Sequence, residues 1–189
     1  MFQQIAVGEL ALCTVVWLLA LIWPSRHEDR EKQAPGTAAI RLGILMNLAA
    51  FALVLARVRP QTVQTFLRGQ SAVIASMVLA FLALLLSVTA RQHFRRRWVY
   101  NERYGDFVVL VKSGPYGIVR HPMYTASLCM LLAAGIAWAT TPILLAGIVT
   151  FLVGLELRLY GEELALVNRF QDEFAEYQSM VKAYIPFVR

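Results

Sequence analysis

SAVIASMVLAFLALLLSVTA, residues Ser71–Ala90, contains no charged side chain. An α-helix rises about 1.5 Å per residue, so about 20 residues cross the roughly 30 Å hydrocarbon core of a bilayer. A helix also satisfies its backbone hydrogen bonds within the segment, which a membrane requires because its core holds no water. This stretch therefore predicts a transmembrane helix, and it sets the class of the chain.

Other apolar segments repeat this pattern along the chain. Hydrophobic residues make up 58% of the 189 residues and charged residues only 16%, a balance unlike that of soluble domains. We predict an all-α, polytopic membrane protein of about five transmembrane helices, forming one integral membrane domain over residues 1–189 with the first three spans in 1–90. The further spans are Ile5–Trp23, Leu42–Ala56, Met123–Trp138 and Pro142–Leu157.

Two local features refine this architecture. Met1–Leu10 carries no basic residue, so we expect the first span to be retained rather than cleaved as a signal. Spans four and five are joined by Ala139-Thr140-Thr141, where Thr141 is a good N-cap and Pro142 suits the first helical position. This short connection predicts two antiparallel neighbouring helices.

The basic residues indicate the orientation. If the five spans are correct, one side of the membrane carries 15 of the Lys and Arg residues and the other side carries 3. The positive side is usually cytoplasmic, so we predict an external N-terminus and a cytoplasmic C-terminus. The net charge of +6 then reflects topology, and we expect no nucleic-acid partner. Cys13 and Cys129 lie in apolar segments, and we expect no disulfide and no metal site.

The connection before span four carries the first candidate site. It reads Ser113-Gly114-Pro115-Tyr116-Gly117, a turn, and then Arg120-His121-Pro122-Met123-Tyr124. Pro122 suits the first position of a helix, which places His121 near the N-cap, where free backbone N–H groups attract anions. The alternative interpretation is anchoring, since Arg, His and Tyr are common at membrane interfaces.

The tail after span five carries the second candidate site. Arg158 and Glu162 are four residues apart and share a helical face, and Glu163 follows. Apolar residues then recur at helical spacing, which predicts an amphipathic cytoplasmic helix ending near Ile185-Pro186-Phe187. A solvated ion pair at the helix exit remains the alternative interpretation of Arg158 and Glu162. The apolar positions are Val167, Phe170, Phe174, Tyr177 and Val181, and Glu163 falls on the same stripe.

Together these two segments resemble the isoprenylcysteine carboxyl methyltransferase family over about the last 90 residues. The resemblance implies that residues 91–189 form a catalytic half that binds S-adenosylmethionine on the cytoplasmic side. It implies that Arg158 faces the methyl acceptor, and it places Glu162 and the neighbouring Glu163 in the catalytic group. The implied cofactor-binding residues are Leu110, Val111, Tyr116, His121, Pro122, Met123, Tyr124 and Glu162.

The resemblance implies a lipid-like acceptor that enters from the bilayer, with the carboxylate of an isoprenylcysteine or a similar lipid as the first hypothesis. Alternatives with the same cofactor are a phospholipid amine or a small thiol, which must lose a proton, and His121 or Glu163 could accept it. More distant alternatives are an NADPH-dependent reductase of the sterol type and a non-enzymatic membrane protein.

Overall fold

The computed structural model describes residues 37–56, 70–101 and 110–189, with side chains described outside Thr37 and 95–101. The elements are α1 (Thr37–Leu55), α2 (Gln70–Asn101), a 3₁₀ turn (Gly114–Gly117), α3 (Pro122–Trp138) and α4 (Thr141–Met180). Within these ranges the fold is all-helical, with one isolated parallel bridge between Val119 and Lys182. The predicted first span, Ile5–Trp23, lies outside the described residues.

Three helices of the described part are long and apolar enough to cross a membrane: α1, α2 and α4. Helix α3 is apolar but has only 17 residues. Many large apolar side chains on α1 and α2 are exposed, including Leu45, Leu48, Phe81 and Leu85. Such surfaces are costly in water and favourable against lipid. The predicted spans two to five thus correspond to helices, while the count of five spans stays a prediction.

Helix α2 is longer than the predicted span. It continues through Arg91 to Asn101, so the basic start of the connection before span four is also helical. Charged residues indicate where a helix leaves the lipid, but they do not terminate the helix. No Gly or Pro occurs between Gln70 and Asn101, so nothing in the backbone chemistry stops the helix there.

The helices pack in pairs, α1 along α4 and α2 along α3. Ala50 and Val54 of α1 pack with Leu131 of α3 and with Phe151 and Leu155 of α4 in the main core cluster. A second cluster joins α2 to α3, and it consists of Ala80, Ala83, Met130 and Ala133. Small side chains at these positions allow close helix approach, which is how helices associate in lipid.

The contact between α1 and α4 is closest at two glycines. A Cβ atom on Gly43 would lie 2.4 Å from the Gly154 carbonyl oxygen and 2.5 Å from Arg158 Cγ. One turn along, the buried Asn47 donates a hydrogen bond from Nδ2 to the Phe151 carbonyl at 2.9 Å. Interhelical bonds of this kind contribute about 0.6 kcal/mol on average. Helix α1 therefore packs directly on the backbone and side-chain stem of Arg158.

Gly43→Val is expected to lower the free energy of unfolding by about 1–3 kcal/mol, the usual cost of overpacking. The added side chain must push α1 away from Gly154 and from Arg158. Thermal unfolding in detergent measures the effect. Ala49→Val is the matched control, because Ala49 is an exposed residue of the same helix. Equal melting temperatures for the two variants would contradict the close packing of Gly43.

Two boundaries in the C-terminal part differ from the sequence prediction. Thr140 is the N-cap of α4 and Thr141 is already helical, one residue earlier than predicted. Helix α4 also breaks its regular geometry at Gln171, which has φ 45°, and it ends at Met180 rather than near Ile185. The apolar stripe is therefore not continuous: Phe174 and Tyr177 are buried after the break, whereas Val167 is exposed. The break turns the tail back toward the start of α3.

Candidate functional site

The start of α3 is held by the tail that follows α4. His121 is the N-cap of α3 and Pro122 follows it in the first turn, as the sequence predicts. The backbone N–H groups of Arg120 and His121 donate to the carbonyls of Lys182 and Ala183 at 2.7 and 2.8 Å. The bond from His121 satisfies a donor that a helix start leaves free, and both bonds fix the backbone from which the His121 side chain extends.

The 3₁₀ turn before α3 packs on α2 and on the part of α4 that follows the break at Gln171. Gly114 has φ +64°, and a side chain there would collide with the His93 ring, so only glycine suits the position. The Tyr177 hydroxyl donates to the Tyr116 carbonyl at 2.5 Å. Burial raises the pKa of Tyr116 to about 12, although the nearby Arg91 opposes the shift. Tyr116 therefore stays neutral at physiological pH.

Glu162 lies at the centre of the first part of the site. Its carboxylate accepts a hydrogen bond from the Tyr124 hydroxyl, and Oε1 lies 3.6 Å from Arg158 Nη2. His121 Nδ1 lies 3.8 Å from Oε2. The Arg158 guanidinium sits 4.5 Å above the Tyr124 ring, and that ring stacks on His121. The Glu162 side chain is 30% exposed, so one side of this carboxylate is open to a ligand.

Glu163 is surrounded by donors instead. Oε1 accepts from Arg120 Nε at 3.0 Å and Nη2 at 2.7 Å, and it lies 3.2 Å from His121 Nε2. Oε2 accepts from Gln178 Nε2 at 3.0 Å. The side chains of Arg120 and Glu163 are 8% and 18% exposed. Glu163 therefore fixes the His121 ring, while Glu162 remains the carboxylate that a ligand can reach.

The site offers complementary charges to a ligand that carries both signs. The Nε group of Arg158 is buried, and no acceptor for it occurs among the described residues. A buried N–H donor without a partner is costly, and an anionic ligand group would satisfy it. The open side of Glu162 suits a cationic group. The two residues therefore offer one group for an anion and one for a cation.

The structure brings together five of the predicted site residues, and it places the other five in the first turn of α3 and in the segment before α3. His121, Tyr124, Arg158, Glu162 and Glu163 form one contact network. Pro122 and Met123 lie in the first turn of α3, with Pro122 buried. Leu110 packs with Phe174 and Tyr177, which follow the break in α4. Val111 is buried, and the Tyr116 carbonyl accepts the hydrogen bond from Tyr177.

Sequence reasoning assigned no site role to several residues that the structure places in the network or near it. Arg120 was interpreted through topology and the family motif, although it adjoins His121. Glu156 precedes Glu163 by seven residues, a spacing that places both on one helical face, so periodicity could have found it. Gln178 lies after the break in α4 and bonds Glu163, whereas Tyr184 and Arg189 lie in the tail after α4 and bond Glu156; no sequence signal indicated these contacts.

Comparison with known proteins gives one match. Residues 71–173 match the sequence model of the phospholipid methyltransferase family. This region runs from α2 to just past the break in α4, and it includes His121, Tyr124, Arg158, Glu162 and Glu163. No curated protein and no solved structure gives a significant match to the chain.

Proposed function

The chain belongs to the phospholipid methyltransferase family, a family of integral membrane methyltransferases, and from that premise we propose that it methylates the amine of a membrane phospholipid with S-adenosylmethionine as donor. The observation that carries the choice of acceptor is the contact of His121 with Glu163 at 3.2 Å. An ammonium headgroup has no lone pair to accept a methyl group, so the reaction needs a residue that takes a proton.

The residues that would hold the donor are those around Glu162. When bound, S-adenosylmethionine supplies an electrophilic methyl group on a sulfonium. The open side of the Glu162 carboxylate would bind a cationic part of the donor. The backbone N–H of Met123, in the first turn of α3, would bind the carboxylate end of the donor. Leu110, Val111, Tyr116, Pro122 and Met123 would complete the walls of this pocket.

His121 is the group proposed to accept the proton. With Nε2–H directed at Glu163, the Nδ1 lone pair is available to take a proton from the acceptor amine. The imidazolium formed in this way lies between Glu163 and Glu162, whose Oε2 is 3.8 Å from Nδ1, so both carboxylates stabilise it. Arg158 would bind the phosphate of the same headgroup through its guanidinium.

A second candidate acceptor is the carboxylate of an isoprenylcysteine or similar lipid. It is favoured by the partnerless Nε group of Arg158, which suits a carboxylate as well as a phosphate. A carboxylate is already a nucleophile and needs no base. A phospholipid amine therefore requires His121 as a base, whereas a carboxylate does not.

The test measures methyl transfer from labelled S-adenosylmethionine in proteoliposomes that contain either phosphatidylethanolamine or an isoprenylcysteine. We expect labelled phospholipid, and we expect His121→Gln to reduce its rate by about 10²–10⁴-fold, the usual effect of losing a general base. His121 makes no side-chain cap to α3, so the helix start should survive the change.

His93→Gln is the matched control, because His93 lies at the end of α2 and bonds the Thr89 carbonyl. It should leave the rate within about twofold of the unaltered protein. Labelled isoprenylcysteine ester, formed at a rate that His121→Gln does not change, would overturn the phospholipid proposal in favour of the second candidate. Labelling of neither lipid would overturn both.

A further inference from the structure

The outer face of α4 carries an open groove of about 500 Å³, apart from the site described above. Its walls are Leu152, Val153 and Leu157, and Glu156 and Tyr184 close one end. Glu156 and Arg158 are two residues apart on one helix, so they point in directions roughly 200° apart. The groove therefore faces away from Arg158, on the side of α4 that also carries Glu163.

The polar end of this groove is an ion pair held in a fixed geometry. Arg189 donates to both oxygens of Glu156, from Nε at 3.1 Å and from Nη2 at 2.5 Å. The Tyr184 hydroxyl donates to Glu156 Oε1 at 2.8 Å. Burial and this hydrogen bond raise the pKa of Tyr184 to about 12, so the hydroxyl remains a donor at physiological pH.

Both charges of the pair are accessible. The side chains of Arg189 and Glu156 are 60% and 40% exposed. The apolar walls lie toward the middle of α4, and Val153 is among the exposed hydrophobic residues. Glu156 lines the groove and Arg189 pairs with it, so a negative and a positive group lie side by side next to the apolar walls.

We propose that this groove binds a phospholipid with a zwitterionic headgroup, at a site separate from the one where methyl transfer takes place. An acyl chain would lie along Leu152, Val153 and Leu157. The phosphate would face Arg189 and the ammonium would face Glu156. Each charge of the headgroup would then lie next to a side chain of the opposite charge. An anionic lipid such as phosphatidylglycerol offers no cation to Glu156 and is bound less well.

A lipid in the groove would be connected to the start of α3 through Tyr184. The Tyr184 carbonyl accepts a hydrogen bond from Thr125 Oγ1 at 2.7 Å, and the preceding Ala183 carbonyl accepts from the His121 backbone. A headgroup held by Glu156 and Arg189 would keep this tail segment in place. The groove lipid is therefore a positioning ligand for His121 rather than a substrate.

The experiment is native mass spectrometry of the detergent-purified protein with equal amounts of dioleoyl phosphatidylethanolamine and dioleoyl phosphatidylglycerol. We expect phosphatidylethanolamine to be retained about fivefold better, as one partly exposed ionic contact of about 1 kcal/mol would give. Glu156→Gln should abolish that preference for the lipid in the groove. Val153→Trp, which fills the groove, should lower the number of bound phosphatidylethanolamine molecules by one and leave the substrate lipid of the proposed function in place.

Val149→Trp is the matched control, because Val149 is an exposed residue of α4 outside the groove. Equal lipid retention by the two tryptophan variants would overturn the proposal, as would equal retention of the two lipids by the unaltered protein. S-adenosylhomocysteine binding should persist in Val153→Trp. The binding of S-adenosylhomocysteine to Glu162 variants tests the proposed function only, and its loss would not bear on the groove proposal.

Discussion

Glu162→Gln is expected to weaken S-adenosylhomocysteine binding by roughly 10- to 100-fold, and calorimetric titration of the detergent-purified protein measures the change. The substitution keeps the size of the side chain and its contact with the Tyr124 hydroxyl but removes the charge. Hydrogen bonds to charged groups contribute about 1.5–3 kcal/mol, and each 1.4 kcal/mol is about tenfold in affinity. The effect is large because Glu162 is the open carboxylate of the site.

Glu176→Gln provides the control for this experiment. Glu176 lies on the same helix after the break and is exposed, so its charge is expected to leave the affinity unchanged. NADPH serves as a control ligand, since the reductase alternative would bind it. Equal affinities of the two glutamine variants for S-adenosylhomocysteine, or saturable binding of NADPH, would count against the methyl-donor site proposed at Glu162.

Arg120→Ala should be the most destabilising single change in the described site, lowering the free energy of unfolding by about 3–5 kcal/mol. The guanidinium of Arg120 is 8% exposed and pairs with Glu163. It also donates to the carbonyls of Val181 at 2.5 Å and Gln178 at 3.3 Å. Its loss leaves a largely buried carboxylate without its main partner and frees the tail from the start of α3.

Thermal unfolding in detergent tests this prediction, with Arg169→Ala as the matched control, because Arg169 is an exposed arginine of α4. Arg120→Lys should be intermediate, since an ammonium cannot form the fork that contacts both Glu163 and the tail. A melting temperature of Arg120→Ala equal to that of Arg169→Ala would show that the network contributes little to stability.

The sequence was most informative where one physical rule acts alone. Ser71–Ala90 could be identified as a helix because uncharged length is sufficient to predict a span. The shared face of Arg158 and Glu162 followed from helical spacing, and the structure has the pair at 3.6 Å. The N-cap position of His121 followed from the proline after it. Each of these inferences needed only neighbouring residues.

Features that depend on distant residues could not be predicted. Glu162 and Glu163 are adjacent, and only their partners separate them: Tyr124 and Arg158 for Glu162, and Arg120, His121 and Gln178 for Glu163. The break at Gln171 has no Gly or Pro to indicate it. It is tertiary packing of Phe174 and Tyr177 against Leu110 that accompanies the change of direction.

The contact between Gly43 and Arg158 limits how far this protein can be treated as modular. The site residues named above lie between Leu110 and Arg189, yet a helix from the first quarter of the chain packs within van der Waals range of the Arg158 stem. A chimera that takes α1 from another protein would need a glycine at position 43 and an amide at position 47. Without them, the exchanged helix would reshape the acceptor side of the site while leaving every residue of the site unchanged in identity.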